Sequence, residues 1–134
     1  MNMQVLRGNP PSFKNVRASV YNHYVRVDQP RSLIFVSGQL SRDEEGRQVG
    51  VGSMLEQTRQ CLRNLELSLK AAGASMSDVV WTTIYTVDIR ELKQIVAARE
   101  EFTSASCLPT STMVEVTHLS EPGLLVEIQA IAAV

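Results

Sequence analysis

The segment Val79-Val-Trp-Thr-Thr-Ile-Tyr-Thr-Val87 constrains the fold most. Its β-branched and aromatic content marks a strand, and its apolar groups fall at both parities. Strict alternation puts Val79, Trp81, Tyr85 and Val87 on one side and Val80 and Ile84 on the other. Leu124–Ala132 also carries aliphatic residues at both parities. Strands that are apolar on both faces need cover on both faces, and Val79–Val87 is expected to be a central strand.

Two helical patterns supply part of that cover. Leu55, Thr58, Leu62, Leu65, Leu69 and Ala72 recur at intervals of three and four. Ser53 with Glu56 forms a capping box ahead of them, and Gly73 is a natural stop. Asp88 with Glu91 repeats the capping logic before Leu92, Ile95, Val96, Arg99 and Phe102, where Arg99 can lay its stem along the stripe. Pro109 then returns the chain to an extended path.

Further strands are expected at Tyr24–Val27 and Leu33–Ser37, joined by a polar turn containing Pro30. Another is expected at Thr112–Thr117, linked to Leu124–Ala132 by a short polar connection carrying Ser120 and the Pro122–Gly123 turn signal. Residues 1–15, which include Gly8, Pro10 and Pro11, are expected to be irregular, and Arg42–Gln48 a solvated charged loop. The order of elements predicts an α+β domain, a mixed sheet with two helices on one face. The other face is too apolar for water, which predicts self-association through it.

A length of 134 residues fits one domain over 1–134. Thirteen basic against fourteen acidic residues give a net charge of −1, so no broad surface attracts nucleic acid or an anionic membrane. No apolar run approaches the ~20 residues that cross a bilayer, and the N-terminus lacks the core of a signal peptide. A cytoplasmic protein is expected, with Cys61 and Cys107 as free thiols because they show no CxxC spacing. His23 and His118 have no metal-ligand spacing, so no metal is expected.

Polar residues interrupt the last two strands at Thr112, Glu115, Glu127 and Gln129. Buried alone, each would cost roughly 1–3 kcal/mol, so they need partners, water or a ligand. With these residues go several blocks in a fixed order. They are Ser37-Gly38-Gln39, Ala71–Ser75 before Asp78-Val-Val80, Thr82–Val87 with Asp88, Val114-Glu-Val116, and Val126-Glu-Ile128. From about Tyr24 to Ala132 the chain resembles the Rid (YjgF/YER057c/UK114) family.

The resemblance implies a chorismate-mutase-like (ferredoxin-like) fold. It also implies a homotrimer whose sheets face inward, with ligand clefts between subunits. The implied activity is hydrolysis of small reactive imines or enamines with release of ammonia and no cofactor. The family's imine deaminases hold the substrate carboxylate with an arginine two residues after the proline, and here that position is Ser111. A serine offers one neutral donor where an arginine fork offers two charge-assisted bonds. A cysteine beside that site corresponds to Met113, and an asparagine on the second helix to Val96. The acidic residue that positions the attacking water corresponds to Gln129, allowing one inserted residue in the connecting turn. Glutamine orients water but cannot take its proton. Glu127 shares Gln129's face by alternation and is a substitute offset by one pleat. Tyr24 matches a tyrosine at the mouth of the family's cleft, and the Ser37–Gly38 backbone can approach an amino or imino group closely. Thr110, Ser111, Thr112 and Met113 complete a hydroxyl-rich ligand set.

Each of these residues also has a plainer reading. Ser37–Gln39 fits a bulged strand end, and Tyr24 a core or interface aromatic. Glu115 and Glu127 could pair with Arg26, Arg31 or Arg99 across the sheet. Three functions compete: an imine or enamine hydrolase with a diverged pocket, a non-catalytic trimer that binds a small metabolite, and a nuclease, a label attached to the family. The charge balance and the scarcity of aromatics speak against the nuclease.

Overall fold

Ser53 and Gly73 bracket the long helix α1, Met54–Ala71. The Ser53 hydroxyl accepts from the Glu56 amide at 3.2 Å, which satisfies an otherwise orphaned donor of the first turn. At the other end Gly73 takes φ +83°. Its amide donates to the Lys70 carbonyl and the Ala74 amide to the Leu69 carbonyl, the two bonds of a Schellman cap. Between the caps, Met54, Thr58, Cys61, Leu62, Leu65 and Leu69 are buried.

The computed structural model describes residues 2–14 and 19–134. Its strands are β1 Gln4–Gly8, β2 Tyr24–Asp28, β3 Leu33–Gln39, β4 Val79–Thr86, β5 Thr110–Glu115 and β6 Val126–Ala133. A second helix, α2, spans Leu92–Glu100. Asp88 caps the 3₁₀ turn Ile89–Glu91 by accepting from the Arg90 amide at 3.0 Å, so the expected cap serves the turn leading into α2.

The main sheet has the order β3-β6-β4-β5, antiparallel except for the parallel pair β4/β5. Both helices pack on one face. Leu62, Leu65 and Leu69 of α1 and Ile95 and Ala98 of α2 share a core with Ile84, Val126 and Ile128. The architecture is α+β, a mixed sheet with two helices on one side.

Four expectations need correction. The N-terminal stretch is not irregular throughout, because β1 pairs antiparallel with β2 over Gln4–Gly8; Gly8 is itself the last paired residue, and the prolines interrupt the chain only after it. Positions 1 and 15 of that stretch lie outside the described residues. Second, β2 and β3 belong to different sheets. Third, the strands expected at Thr112–Thr117 and Leu124–Ala132 run over Thr110–Glu115 and Val126–Ala133, with β4 lying between them in the sheet. The Val116 amide bonds to the Thr86 carbonyl and the Val87 amide to the Leu125 carbonyl, so both strands lean on the end of β4. Fourth, strict alternation fails in β4. Its register against β6 shifts between Val79 and Trp81, a bulge that turns Val79 into the core while Trp81 stays 36% exposed on the open face.

That open face carries an apolar row. Phe35 on β3, Ile131 on β6 and Trp81 on β4 are in register, and Phe35 is 72% exposed. Exposed aromatics in a row on a sheet are a surface prepared for cover.

Candidate functional site

One pleat from the apolar row, β3 changes register. Val36 pairs with Ala130 and Gln39 with Ile128, which leaves Ser37 and Gly38 together opposite Gln129. This is a bulge, with two residues against one. Glycine stands in it because of crowding. A Cβ on Gly38 would meet the Glu127 carboxyl group, at 2.7 Å from Cδ and 2.8 Å from Cγ. The Glu127 side chain therefore lies directly over the Gly38 main chain. The Gln39 side-chain amide donates to the Ser37 carbonyl at 2.9 Å and holds the bulge in shape.

The register carries the site across the sheet. Gln129 stands beside Thr83, and Thr83 beside Thr112. In the next row Glu127 stands beside Tyr85, and Tyr85 beside Val114. Glu127 and Gln129 are two residues apart on one face, about 7 Å along the strand. Thr83 and Tyr85 were not among the sequence candidates. Their signal is their parity with Trp81 on β4, which the register converts into adjacency with Gln129 and Glu127.

The other candidates lie elsewhere in the protomer. Ser111 pairs with Thr82 and Met113 with Ile84, which puts both on the helix-covered side, where Met113 packs against the core. The Thr110 hydroxyl donates to the Val80 carbonyl at 3.1 Å, and its own carbonyl accepts from Thr82 at 2.9 Å. Tyr24 belongs to the two-stranded sheet, with its ring over Gly8 and 42% of its surface exposed. Val96 lies half-buried on α2. Within one protomer the structure groups Ser37, Gly38, Thr112, Glu127 and Gln129 and sets Tyr24, Ser111 and Met113 apart.

The pairing alternatives for the two glutamates divide. Glu115 accepts from the Ile89 amide at 2.9 Å and so anchors the turn before α2. The Glu127 side chain makes no hydrogen bond or ion pair with any described residue. Arg26 is bound to Asp28 at 2.8 Å, and the buried Arg99 guanidinium donates to the Val20 carbonyl at 3.1 Å. Burial pulls Arg99 down to about 10, which leaves it charged at neutral pH. The charge of Glu127 is felt through the sheet. Burial first, and Glu127 second, push the Cys61 thiol up to about 12, so it stays protonated and inert.

The connection between β5 and β6 is clamped from three sides. Gln57, fully buried on α1, donates to the Gly123 carbonyl and accepts from the Leu125 amide, both at 2.8 Å. Gln48 donates to the Pro122 carbonyl at 2.9 Å, and Arg42 pairs with Glu121 at 2.7 Å. A surface recess of ≈ 610 Å³ opens against this connection and includes His118. His23 packs edge-on between Phe13 and Tyr21. Among the described residues no three His, Cys, Asp or Glu side chains come together as metal ligands, Cys61 and Cys107 are free, and no helix is long and apolar enough to cross a membrane.

The sequence model of the family described as Endoribonuclease L-PSP matches residues 15–134. A RutC family protein of Pyrococcus abyssi is 35% identical over 112 residues, 84% of this chain and 84% of its own. The 2-iminobutanoate/2-iminopropanoate deaminase of Mus musculus is 34% identical over 112 residues, 84% of this chain and 79% of its own. Among solved structures, YyfB of Yersinia pestis, a Rid-family protein of unknown function, superposes with a TM-score of 0.86 at 30% identity, over 100% of both chains. A Mycobacterium tuberculosis member of the YjgF/YER057c/UK114 family gives a TM-score of 0.63 at 35% identity, covering 98% of this chain and 100% of its own.

Proposed function

Since the chain belongs to the Rid (YjgF/YER057c/UK114) family, we propose that it hydrolyses small imine- or enamine-type metabolites with a diverged pocket. One observation carries the reading: at the Ser37–Gly38 bulge the Glu127 carboxylate, unpaired among the described residues, lies over the Gly38 main chain two residues from the water-orienting Gln129 amide. In the proposed step the Gln129 amide orients a water toward the C=N carbon, and Glu127 accepts a proton from it. The C–O bond forms as the C=N electron pair moves onto nitrogen. Glu127 returns that proton to nitrogen to give a carbinolamine, and transfer of the hydroxyl proton to the amino nitrogen as the C–N bond breaks then forms C=O and releases ammonia. The deaminase of Mus musculus supports this chemistry by its likeness.

The active assembly is a homotrimer. The apolar row of Phe35, Ile131 and Trp81 supports burial of the open face against other copies. Clefts between subunits would bring Ser111, Met113 and Tyr24 of one copy to the Gln129 face of the next, because a single protomer holds them apart. The free thiols suit a reducing cytoplasm. No step calls for a cofactor or metal, and nucleic acid is not a proposed substrate because the net charge of −1 offers it no basic track.

A second reading, a trimer that binds a metabolite without turnover, draws on Ser111 and Gln129 standing where the family's deaminases use an arginine and an acid. Semicarbazide competition separates the two. An enzyme diverts freshly generated imine from semicarbazone to ketone or aldehyde plus ammonia, in proportion to protein concentration. A binding module leaves semicarbazone formation unchanged with every imine tested.

A further inference from the structure

The connection between β5 and β6 is built as a wall rather than as a loose loop. Gln57 fixes it at Gly123 and Leu125, Gln48 fixes it at Pro122, and Arg42 fixes it at Glu121. The recess of ≈ 610 Å³ that opens against this wall is therefore preformed, and its size is that of a small-molecule site. Val87, Leu119, Pro122 and Leu125 make its lining mainly apolar, with His118 and Ser120 as polar members. The recess also runs on from the bulge site along the strands. Glu127 stands beside Tyr85, and two residues closer to the connection the Val87 amide donates to the Leu125 carbonyl at 3.0 Å. Two residues of strand cover about 7 Å, so the recess begins one pleat beyond Glu127. A methyl or ethyl group on a carbon held at Glu127 falls short of it. A side chain of aromatic length reaches it, and there exchanges water for apolar surface.

We infer that this recess is the side-chain subsite of the imine site, and that its substrates are imines bearing an aromatic or similarly long apolar side chain. The inference rests on the imine reading above and adds the size class of the substrate to it. It also gives the three clamps a task, since Gln57, Gln48 and Arg42 hold the subsite open before a ligand arrives.

The test compares phenylpyruvate with pyruvate by titration calorimetry on the intact protein. Alongside it, ammonia release is followed from the imines that an amino-acid oxidase generates from phenylalanine and from alanine. Phenylpyruvate is expected to bind at least tenfold more tightly than pyruvate, and the phenylalanine imine to be hydrolysed with at least tenfold higher kcat/KM. Leu119→Trp and Ser120→Trp, which fill the recess, should each lower both phenyl-to-methyl ratios at least tenfold with the sedimentation coefficient unchanged. Ser120 is exposed, so its replacement leaves the core intact. Equal affinity for the two probes, no binding of phenylpyruvate, or unchanged ratios in both folded variants would overturn the inference. So would variants that alter only the oligomeric state, which would assign the recess to a contact between copies. Selective phenylpyruvate binding without ammonia release from either imine would sink the hydrolase reading and leave the subsite standing. Accelerated ammonia release at equal rates from both imines would do the reverse.

Discussion

Glu127 folds its carboxyl group into the space that a Cβ on residue 38 would occupy, so Gly38 and Glu127 are mutually dependent. The bulge needs glycine for the carboxylate to lie across it. The carboxylate in turn owes its position to a main chain with no side chain in the way.

Gly38→Ala should displace Glu127 and lower ammonia release at least tenfold. Stability should fall by only about 1–2 kcal/mol, because the obstructing atoms are the far end of a flexible side chain. Adding Glu127→Ala should recover most of that stability but none of the activity. A double-mutant cycle on urea midpoints measures the coupling. Additive effects would show that the two residues do not interact.

Gln57→Leu should be far more damaging. Its amide group satisfies both the Gly123 carbonyl and the Leu125 amide from a fully buried position. Orphaning two buried main-chain groups costs about 2–4 kcal/mol in total. Urea unfolding should show a lower midpoint with an unchanged slope.

The helix α1 and its caps are legible in the sequence because helix spacing and capping are local: Ser53 and Gly73 act within a few residues of themselves. The same holds for the α+β order. The bulges are not legible in this way. That Val79 leaves the face of Trp81, and that Ser37 and Gly38 share one partner, depends on the register against β6, some fifty and ninety residues further along. β1 escaped notice because its partner β2 lies beyond two prolines. Gly38 and Glu127 could each be named from sequence, but the reason glycine is needed there appears only when the strands are aligned.

Acid should weaken the fold in a defined window. Hydrogen bonds from Arg59, Arg42 and Arg90 hold Glu101, Glu121 and Asp88 below the usual carboxylate range. A carboxylate lowered by folding stabilises the native state above its unfolded value, and that stabilisation disappears as pH falls through the folded value. Thermal midpoints should therefore stay level from neutral pH to about 5 and decline below about 4. Glu101 and Glu121 are exposed and Asp88 is half-buried, so the effect should shrink in high salt. Glu101→Gln should make the decline shallower.

Positions 111 and 129 stand on opposite faces of the sheet in one protomer. If they cooperate, they do so across subunits. Ser111→Arg should improve binding of small carboxylates, and Ser111→Arg with Gln129→Glu should raise hydrolysis of 2-iminopropionate more than either change alone. Mixed assemblies formed from the two single variants should recover part of that gain. No gain in the mixture, with subunit exchange confirmed, would mean that the two positions do not meet in one cleft.

The most direct test of imine hydrolysis at the bulge is ammonia release from imines generated in place by an amine oxidase, with wild-type protein compared with Glu127→Gln and Gln129→Ala at matched protein concentration. Wild type should accelerate release well above buffer, and each variant should lose at least tenfold, about 1.4 kcal/mol of transition-state stabilisation. Release at the buffer rate by folded wild-type protein, or full activity in both variants, would contradict the assignment.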